Sequence, residues 1–395
     1  MKIFLALFIL AAIVLFGAPV VKFTRSKLGI EKTPFYGIMF VFIGILFSQT
    51  GLNIFTDDVL LQILPIIGFS LGWLGFLITI DFDVRLIKKI DTRDIAYSLL
   101  FSGGAFLAVG IGFTLIFGTF LRGFPQSTAW LLAALSVATS PILLRLMIRK
   151  ERKRSFKIEQ LSLITVLGGI LGVLVYGIIT CFLEQHAWWR NLGLALVIGI
   201  SSGLFINMMV IGARKHNEML LFVYGIIFLS SGLSGLLKIS PLFVNAITGI
   251  VVANSSLKRS RVAAILNEAE QLMMVLIYVL FGALWSVRLE NMKQILLPAL
   301  IIGFIYFLLR YFGKLFGSFL IKIFSGENTF ALAGSLLCQT SVLFAALIDF
   351  RMLGASSAFI MNRLFLALFV SVLVAMPAAR YFMEAYLKKD FQRNV

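Results

Sequence analysis

A succession of apolar stretches, each close to the length needed to cross a bilayer, runs through almost all of the 395 residues. A transmembrane helix needs about 20 mainly apolar residues, and about 13 stretches approach that length. They predict helices at 4–22, 34–52, 60–81, 95–121, 127–148, 160–183, 190–212, 218–236, 239–253, 267–288, 293–321, 328–348 and 354–384. The sequence therefore predicts an all-α integral membrane protein.

The polar connections between these stretches reach about 15 residues at most, which is too few to bury a separate hydrophobic core. We therefore treat residues 1–395 as a single membrane domain. No G-x-x-x-x-G-K-[ST] phosphate-binding sequence occurs, so any transport by this chain is secondary or passive.

The net charge of +17 would suggest a nucleic-acid partner in a soluble protein. Here Lys and Arg concentrate in every second connection, as at 22–32, 85–93 and 149–157, which is the pattern of cytoplasmic loops. The pattern predicts a multi-pass inner or plasma membrane protein with its N-terminus outside and its C-terminus in the cytoplasm. The lipid bilayer, not nucleic acid, is then the first partner.

Enzyme chemistry finds no support in the sequence. Cys181 and Cys338 lie in apolar stretches, and the two histidines lie in short polar connections without ligand-type neighbours. No nucleophile–base pair stands at membrane depth. We predict no catalytic residue, no metal site and no cofactor.

Polar residues interrupt the fifth predicted helix at Ser136-Val137-Ala138-Thr139-Ser140-Pro141. Pro141 lacks an amide donor and frees a carbonyl one turn back, so the helix is expected to kink or unwind there. An ordinary proline kink is the alternative interpretation. Polar side chains at this depth are tolerated when they are buried in protein or line water.

Two further features lie in the eleventh and twelfth predicted helices. Gln339, Thr340 and Ser341 form a polar cluster that either lines a pathway or joins helices by hydrogen bonds. Arg310 lies near the centre of its helix, where an isolated arginine costs about 2.5–3.5 kcal/mol, which favours a paired or functional residue. Lys314, one turn further on, is expected to extend to the membrane interface.

In these features the sequence resembles the monovalent cation:proton antiporter superfamily, in particular its sodium/proton exchanger and Kef-type branch. Each motif is moderately specific, and their shared order and spacing over nearly the whole chain carry the resemblance. The stretches that are similar to family motifs are Phe76–Asp83, Ser136–Pro141, Ile239–Asn254, Arg310–Lys314 and Leu337–Ser341.

The resemblance implies an inverted-repeat fold in which two broken helices cross at mid-membrane. It assigns residues 1–90 and 218–290 to a dimerisation panel, and residues 95–183 and 293–384 to a core transport-like bundle. It also implies a homodimer and a carboxylate on the helix beside the crossing, which binds a cation and a proton in turn.

The sequence departs from the family pattern at that carboxylate. Gly168 and Gly169 occupy the positions where the resemblance places the acidic pair, and no other carboxylate lies within that helix. A glycine cannot titrate or neutralise a dehydrated ion. Proton-coupled exchange of the usual kind is therefore expected to be disabled, and Arg310 is left to pair with helix-end carbonyls or an external group.

Three functional hypotheses follow. The first is a divergent sodium/proton exchanger-like transporter with a degenerate ion site, in which neutral oxygens hold Na⁺ or K⁺. The second is a transport-inactive scaffold or sensor subunit with other membrane proteins as partners, and the third is an anion pathway using Arg310. The predicted ion or substrate pathway comprises Thr139, Ser140, Pro141, Thr165, Gly168, Gly169, Arg310, Gln339, Thr340 and Ser341.

Overall fold

The computed structural model describes residues 2–28, 37–87, 91–119, 124–140, 156–183, 187–213, 215–286, 292–354 and 358–391. Within these ranges the chain is helical, apart from its connections and an isolated bridge between Ser48 and Phe55. The helices are α1 (Lys2–Leu28), α2 (Ile38–Phe47), α3 (Asp57–Gln62), α4 (Leu64–Thr79), α5 (Val84–Ile87), α6 (Thr92–Thr119), α7 (Gln126–Val137), α8 (Phe156–Leu183), α9 (Trp188–Gly212), α10 (His216–Leu236), α11 (Pro241–Ser255), α12 (Arg259–Glu268), α13 (Glu270–Ala283), α14 (Met292–Ser325), α15 (Phe330–Ser335), α16 (Thr340–Met352) and α17 (Ala358–Phe391).

Six helices in these ranges have the length and apolar composition to cross a membrane, or seven if α12 and α13, bent by 52°, count as one span. Shorter apolar helices such as α4 and α11 accompany them. This confirms the prediction of an all-helical, multi-pass membrane protein. The number of about 13 crossings stays a prediction.

The sequence analysis placed most of α12 in a connection. The charged residues of α12 explain why no apolar stretch is visible there.

The helices group into two compact units. The first contains Met1–Asp83, Glu184–Met292 and Phe344–Ala358, and the second contains Val84–Leu183, Lys293–Leu343 and Phe359–Val395. The roles of panel and core stay predictions.

In the first unit, a polar network stabilises the packing of α10 against α11. Asn245 is fully buried, and its amide nitrogen donates to Ser231 Oγ and to the Pro241 carbonyl, both at 3.0 Å. Ser230 Oγ donates to the Asn245 side-chain oxygen at 2.7 Å. Because buried polar groups are costly without partners, these bonds fix how the two helices meet.

Two basic residues at the junction of α11 and α12 cap helix ends in the first unit. Lys258 Nζ donates to three carbonyls at the end of α9, those of Val210, Ile211 and Ala213, at 2.9–3.1 Å. Arg259 Nε donates to the Ile80 carbonyl at 2.9 Å, just after α4. Cations suit helix C-termini, where unpaired carbonyls concentrate negative charge. These two basic residues therefore cap helix ends.

Two non-helical segments lie in the second unit, residues 138–140 after α7 and residues 336–339 between α15 and α16. α7 ends at Val137, after which Ala138 adopts an extended backbone with φ −61° and ψ 135°. The second interruption separates α15 from α16, so the predicted helix 328–348 consists of two pieces. Both segments overlap stretches that the sequence analysis selected, Ser136–Pro141 and Leu337–Ser341. Pro141 lies outside the described residues.

Candidate functional site

The non-helical segments after α7 and between α15 and α16 are joined by hydrogen bonds at a place that we call the crossing. Ser140 N donates to the Cys338 carbonyl at 2.9 Å, and the hydroxyls of Ser140 and Ser341 lie 2.9 Å apart. Thr139 Oγ1 donates to the Thr165 carbonyl of α8 at 2.8 Å. The structure thus brings together four polar residues that the sequence selected from three different predicted helices.

The remaining polar candidates lie at the start of α16. The Gln339 side-chain amide contacts the hydroxyl of Tyr306 at 3.3–3.4 Å, and Tyr306 is fully buried in α14. Thr340 Oγ1 is buried and has no hydrogen-bond partner among the described residues. Every one of these candidate side chains is at most 2% exposed, so the crossing is closed to solvent in this conformation.

Arg310 joins the C-terminal ends of α7 and α15. Its Nε donates to the Ser136 carbonyl at 3.0 Å and its Nη2 to the Ala138 carbonyl at 2.9 Å, at the end of α7. Its Nη2 also donates to the Leu336 carbonyl at 3.2 Å, and its Nη1 donates to the Leu337 carbonyl, just after α15. One guanidinium therefore binds four helix-end carbonyls.

Two physical properties fit arginine to this position. The last carbonyls of a helix lack intrahelical donors and carry the negative end of the helix dipole. The planar guanidinium offers five donors in a rigid fork and stays charged. Arg310 pairs with helix-end carbonyls, one of the two arrangements expected from the sequence.

The sequence analysis did not select Tyr306, which lies one turn before Arg310. An aromatic hydroxyl at this spacing was a usable signal.

Lys314 differs from its sequence-based expectation. The side chain is 1% exposed, so the predicted extension to the membrane interface is wrong. α14 continues to Ser325 and places Lys314 more than two turns inside the helix end. It follows Arg310 by four residues, which puts both side chains on the same helix face.

Gly168 and Gly169 are both buried in α8. A Cβ atom at Gly168 would lie 2.5 Å from Thr139 Oγ1, and a Cβ atom at Gly172 would overlap Cα of Ala138. The extended segment after α7 thus packs directly on the backbone of α8 where the family pattern expects carboxylates. The sequence analysis did not select Gly172 as a packing residue, although its spacing of four from Gly168 is typical of close helix packing in membranes.

Two described carboxylates of the second unit make their hydrogen bonds away from the crossing. Asp94, 8% exposed, accepts a hydrogen bond from Gln160 Nε2 at 2.6 Å. Glu327 accepts from the Tyr97 hydroxyl at 2.8 Å and pairs with Arg93 at 3.6 Å. The described ranges contain no group of three His, Cys, Asp or Glu residues that could hold a metal ion. Charge at the described crossing therefore comes from Arg310 and the helix ends.

The helical fold, in which the segments after α7 and between α15 and α16 are joined by hydrogen bonds, belongs to the antiporter class of membrane folds, as the sequence predicted. It is similar to the structure of the sodium proton antiporter MjNhaP1 from Methanocaldococcus jannaschii at pH 8, with a TM-score of 0.71 and 18% identity over 98% of this chain and 99% of that chain. The electron-microscopy structure of MjNhaP1 gives a TM-score of 0.66 and 16% identity over 98% of both chains. No protein-family model matches the sequence, and no curated protein matches it. At these identities the likeness shows the fold.

Proposed function

We propose that this chain is a sodium/proton exchanger-like membrane transporter of the cation:proton antiporter superfamily, in its Kef-type branch, with a degenerate ion site. It does not exchange monovalent cations for protons in the usual way. One observation carries the proposal: Arg310 is bonded to the carbonyls at the crossing, while Gly168 and Gly169 stand where the resemblance expects carboxylates.

The charge at the crossing supports this mechanism. A cation entering beside Arg310 meets a fixed positive charge in a medium of low dielectric constant, where like charges repel strongly. A site without a carboxylate also lacks the group that would bind the cation and the proton in alternation. The same geometry bears on the anion hypothesis, because an anion could use Arg310 only by displacing carbonyls from the guanidinium.

Neutral oxygens are the remaining cation ligands, with Na⁺ or K⁺ as the ion. Thr139, Ser140, Thr165 and Ser341 are engaged in hydrogen bonds within the protein, so ion binding at these oxygens requires the crossing to open. Gln339 contacts one hydroxyl, that of Tyr306, through a long bond. Of the bonded oxygens, that of Gln339 is therefore released most easily, and the Thr340 hydroxyl already lacks a partner among the described residues.

Gln339→Ala tests this neutral site. We expect the substitution to weaken binding of Na⁺ or K⁺ to the purified protein by roughly tenfold, because it removes one polar ligand. Equilibrium binding of radioactive Na⁺ or Rb⁺ measures the effect, with Tyr306→Phe as the matched variant that removes the contact but keeps the amide. Unchanged affinity in Gln339→Ala would remove Gln339 from the site.

A transport-inactive scaffold or sensor is the second candidate function. It is favoured by the closed crossing, where each candidate hydroxyl apart from that of Thr340 has a partner in the described part of the chain. A static core of this kind would serve an assembly role with other membrane proteins. Absence of both net flux and isotope exchange separates this candidate from the first.

Ion-driven pH change in proteoliposomes tests the main proposal. We expect gradients of Na⁺, K⁺ and Li⁺ to produce no more proton movement than protein-free liposomes at any pH between about 6 and 9, because the described crossing lacks a titratable carboxylate. Monodispersity and a cooperative thermal transition establish that the protein is folded. Robust cation-dependent proton movement would show that another carboxylate couples the ions, and would contradict the proposal.

The remaining parts of the proposal follow the charge distribution and the resemblance. The chain lies in the inner or plasma membrane with its N-terminus outside and its C-terminus in the cytoplasm. It forms a homodimer through residues 1–90 and 218–290, and residues 95–183 and 293–384 form the core.

A further inference from the structure

Lys314 is a buried basic residue that the proposed transport mechanism does not use. Its side chain is 1% exposed inside the second unit. Its Nζ has no hydrogen-bond partner among the residues that the structure describes. Arg310 precedes it by one helical turn, so two basic side chains lie close together in the protein interior.

The groups that could neutralise Lys314 are engaged elsewhere. The four crossing carbonyls accept from Arg310, and the hydroxyl of Ser318, one turn beyond Lys314, is bonded to Thr329 Oγ1 at 2.8 Å. The buried carboxylate of Asp94 is bonded to Gln160. In the described ranges, no carboxylate is hydrogen-bonded to Lys314 Nζ. Among these residues, the amine therefore has hydrogen-bond donors and a positive neighbour but no acceptor.

Buried ammonium groups persist in proteins when an opposite charge or several acceptors compensate them. We propose that Lys314 binds a small monovalent inorganic anion, with chloride as the expected ligand, in a buried site of the second unit. The fixed charge of Arg310 strengthens binding through the low-dielectric interior without direct contact, since its own donors remain on carbonyls. The bound anion supplies the negative charge that the described crossing lacks.

The packing around Lys314 limits the size of this ligand. A Cβ atom at Gly313 would lie 2.5 Å from the Gly104 carbonyl oxygen, and one at Gly317 would lie 2.6 Å from the Leu100 carbonyl oxygen. α14 therefore contacts the backbone of α6 on both sides of Lys314 in sequence. Lys314 itself is 1% exposed, and such burial beside closely packed helices favours a single-atom anion over phosphate or an organic acid.

Thermal unfolding of the purified full chain in detergent tests the site. Potassium chloride and potassium gluconate are compared at equal ionic strength, so the cation and the screening stay constant. We expect chloride to raise the Tm saturably, by on the order of 2 °C or more, because a ligand that binds the folded state stabilises it. Bromide, as a second small anion, should act in the same way.

Lys314→Met should abolish the chloride-dependent rise in Tm, whatever its effect on the baseline. Lys322→Met is the matched control, because Lys322 lies two turns further along α14 and is exposed, and it should keep the full response. If Lys314→Met does not fold, Lys314→Gln takes its place. Equal Tm values for the unsubstituted protein in chloride and gluconate, or a response retained without Lys314, would overturn the proposal.

The inference goes beyond the proposed function and is separable from it. The Tm comparison involves no ion gradient and no proton movement. A protein that binds chloride at Lys314 and yet exchanges cations for protons would contradict the transport proposal alone, whereas a protein with neither property would contradict the anion site alone.

Discussion

Arg310→Met is expected to lower the free energy of unfolding by about 3–5 kcal/mol, the typical effect of removing one partner from a buried charge interaction. Methionine has a similar length but no donor, so four helix-end carbonyls lose their hydrogen bonds. Thermal unfolding in detergent, followed by intrinsic fluorescence, should show a markedly lower Tm. Arg310→Lys should recover part of the loss, because an ammonium keeps the charge without the planar fork.

Arg380→Met is the matched control for this prediction. Arg380 lies in α17 of the same unit, and its side chain is 36% exposed where it pairs with Glu384 at 3.0 Å. A helix-surface pair of this kind contributes about 0.3–0.5 kcal/mol. If Arg310→Met and Arg380→Met unfold at the same temperature, the guanidinium does not hold the crossing together.

Gly172→Ala is expected to destabilise the protein by about 1–3 kcal/mol, the usual cost of adding a methyl group where the packing leaves no space. The new Cβ would overlap Cα of Ala138, and backbone cannot rotate away as a side chain can. Gly168→Ala should have a smaller effect, because its Cβ meets the Thr139 hydroxyl, which can move after losing its bond to the Thr165 carbonyl. Tm values in detergent rank the two variants.

Gly103→Ala supplies the comparison for both glycine variants. Gly103 lies inside α6 of the same unit, and a Cβ atom there meets nothing within 4 Å. Alanine in an open helical position is more stable than glycine by about 0.5–1 kcal/mol, so this variant should match or exceed the unsubstituted protein. A Gly172→Ala protein as stable as Gly103→Ala would show that α8 and the extended segment do not pack closely.

Apolar length and local polar signals were enough to predict much of the fold. Stretches close to membrane thickness located the helices, and the hydroxyl-rich run before Pro141 located the interruption after α7. The cost of an arginine at mid-membrane depth correctly indicated that Arg310 needs partners. These predictions succeed because each depends on the residue and its immediate neighbours along the chain.

The rest depends on contacts between residues far apart in the sequence. Arg310 donates to the Ser136 carbonyl, 174 positions away in the sequence. Every residue has a backbone carbonyl, so no sequence pattern reveals which one serves as acceptor. The burial of Lys314 depends on how far α14 extends and which face it turns inward. In the sequence, the glycines of α8 indicate only that a carboxylate is missing. The structure shows that the backbone also packs closely at this place.

The four bonds of Arg310 constrain the order in which the chain can assemble during synthesis. Two of its acceptors, in Ser136 and Ala138, are translated before α14, and the other two, in Leu336 and Leu337, are translated after it. α15 has six residues, so at about 1.5 Å per residue it reaches only a fraction of the membrane thickness and cannot insert as an independent span. An insertion intermediate that ends within α14 therefore carries an arginine with half of its partners, and the segment after α15 supplies the other half once it has been translated.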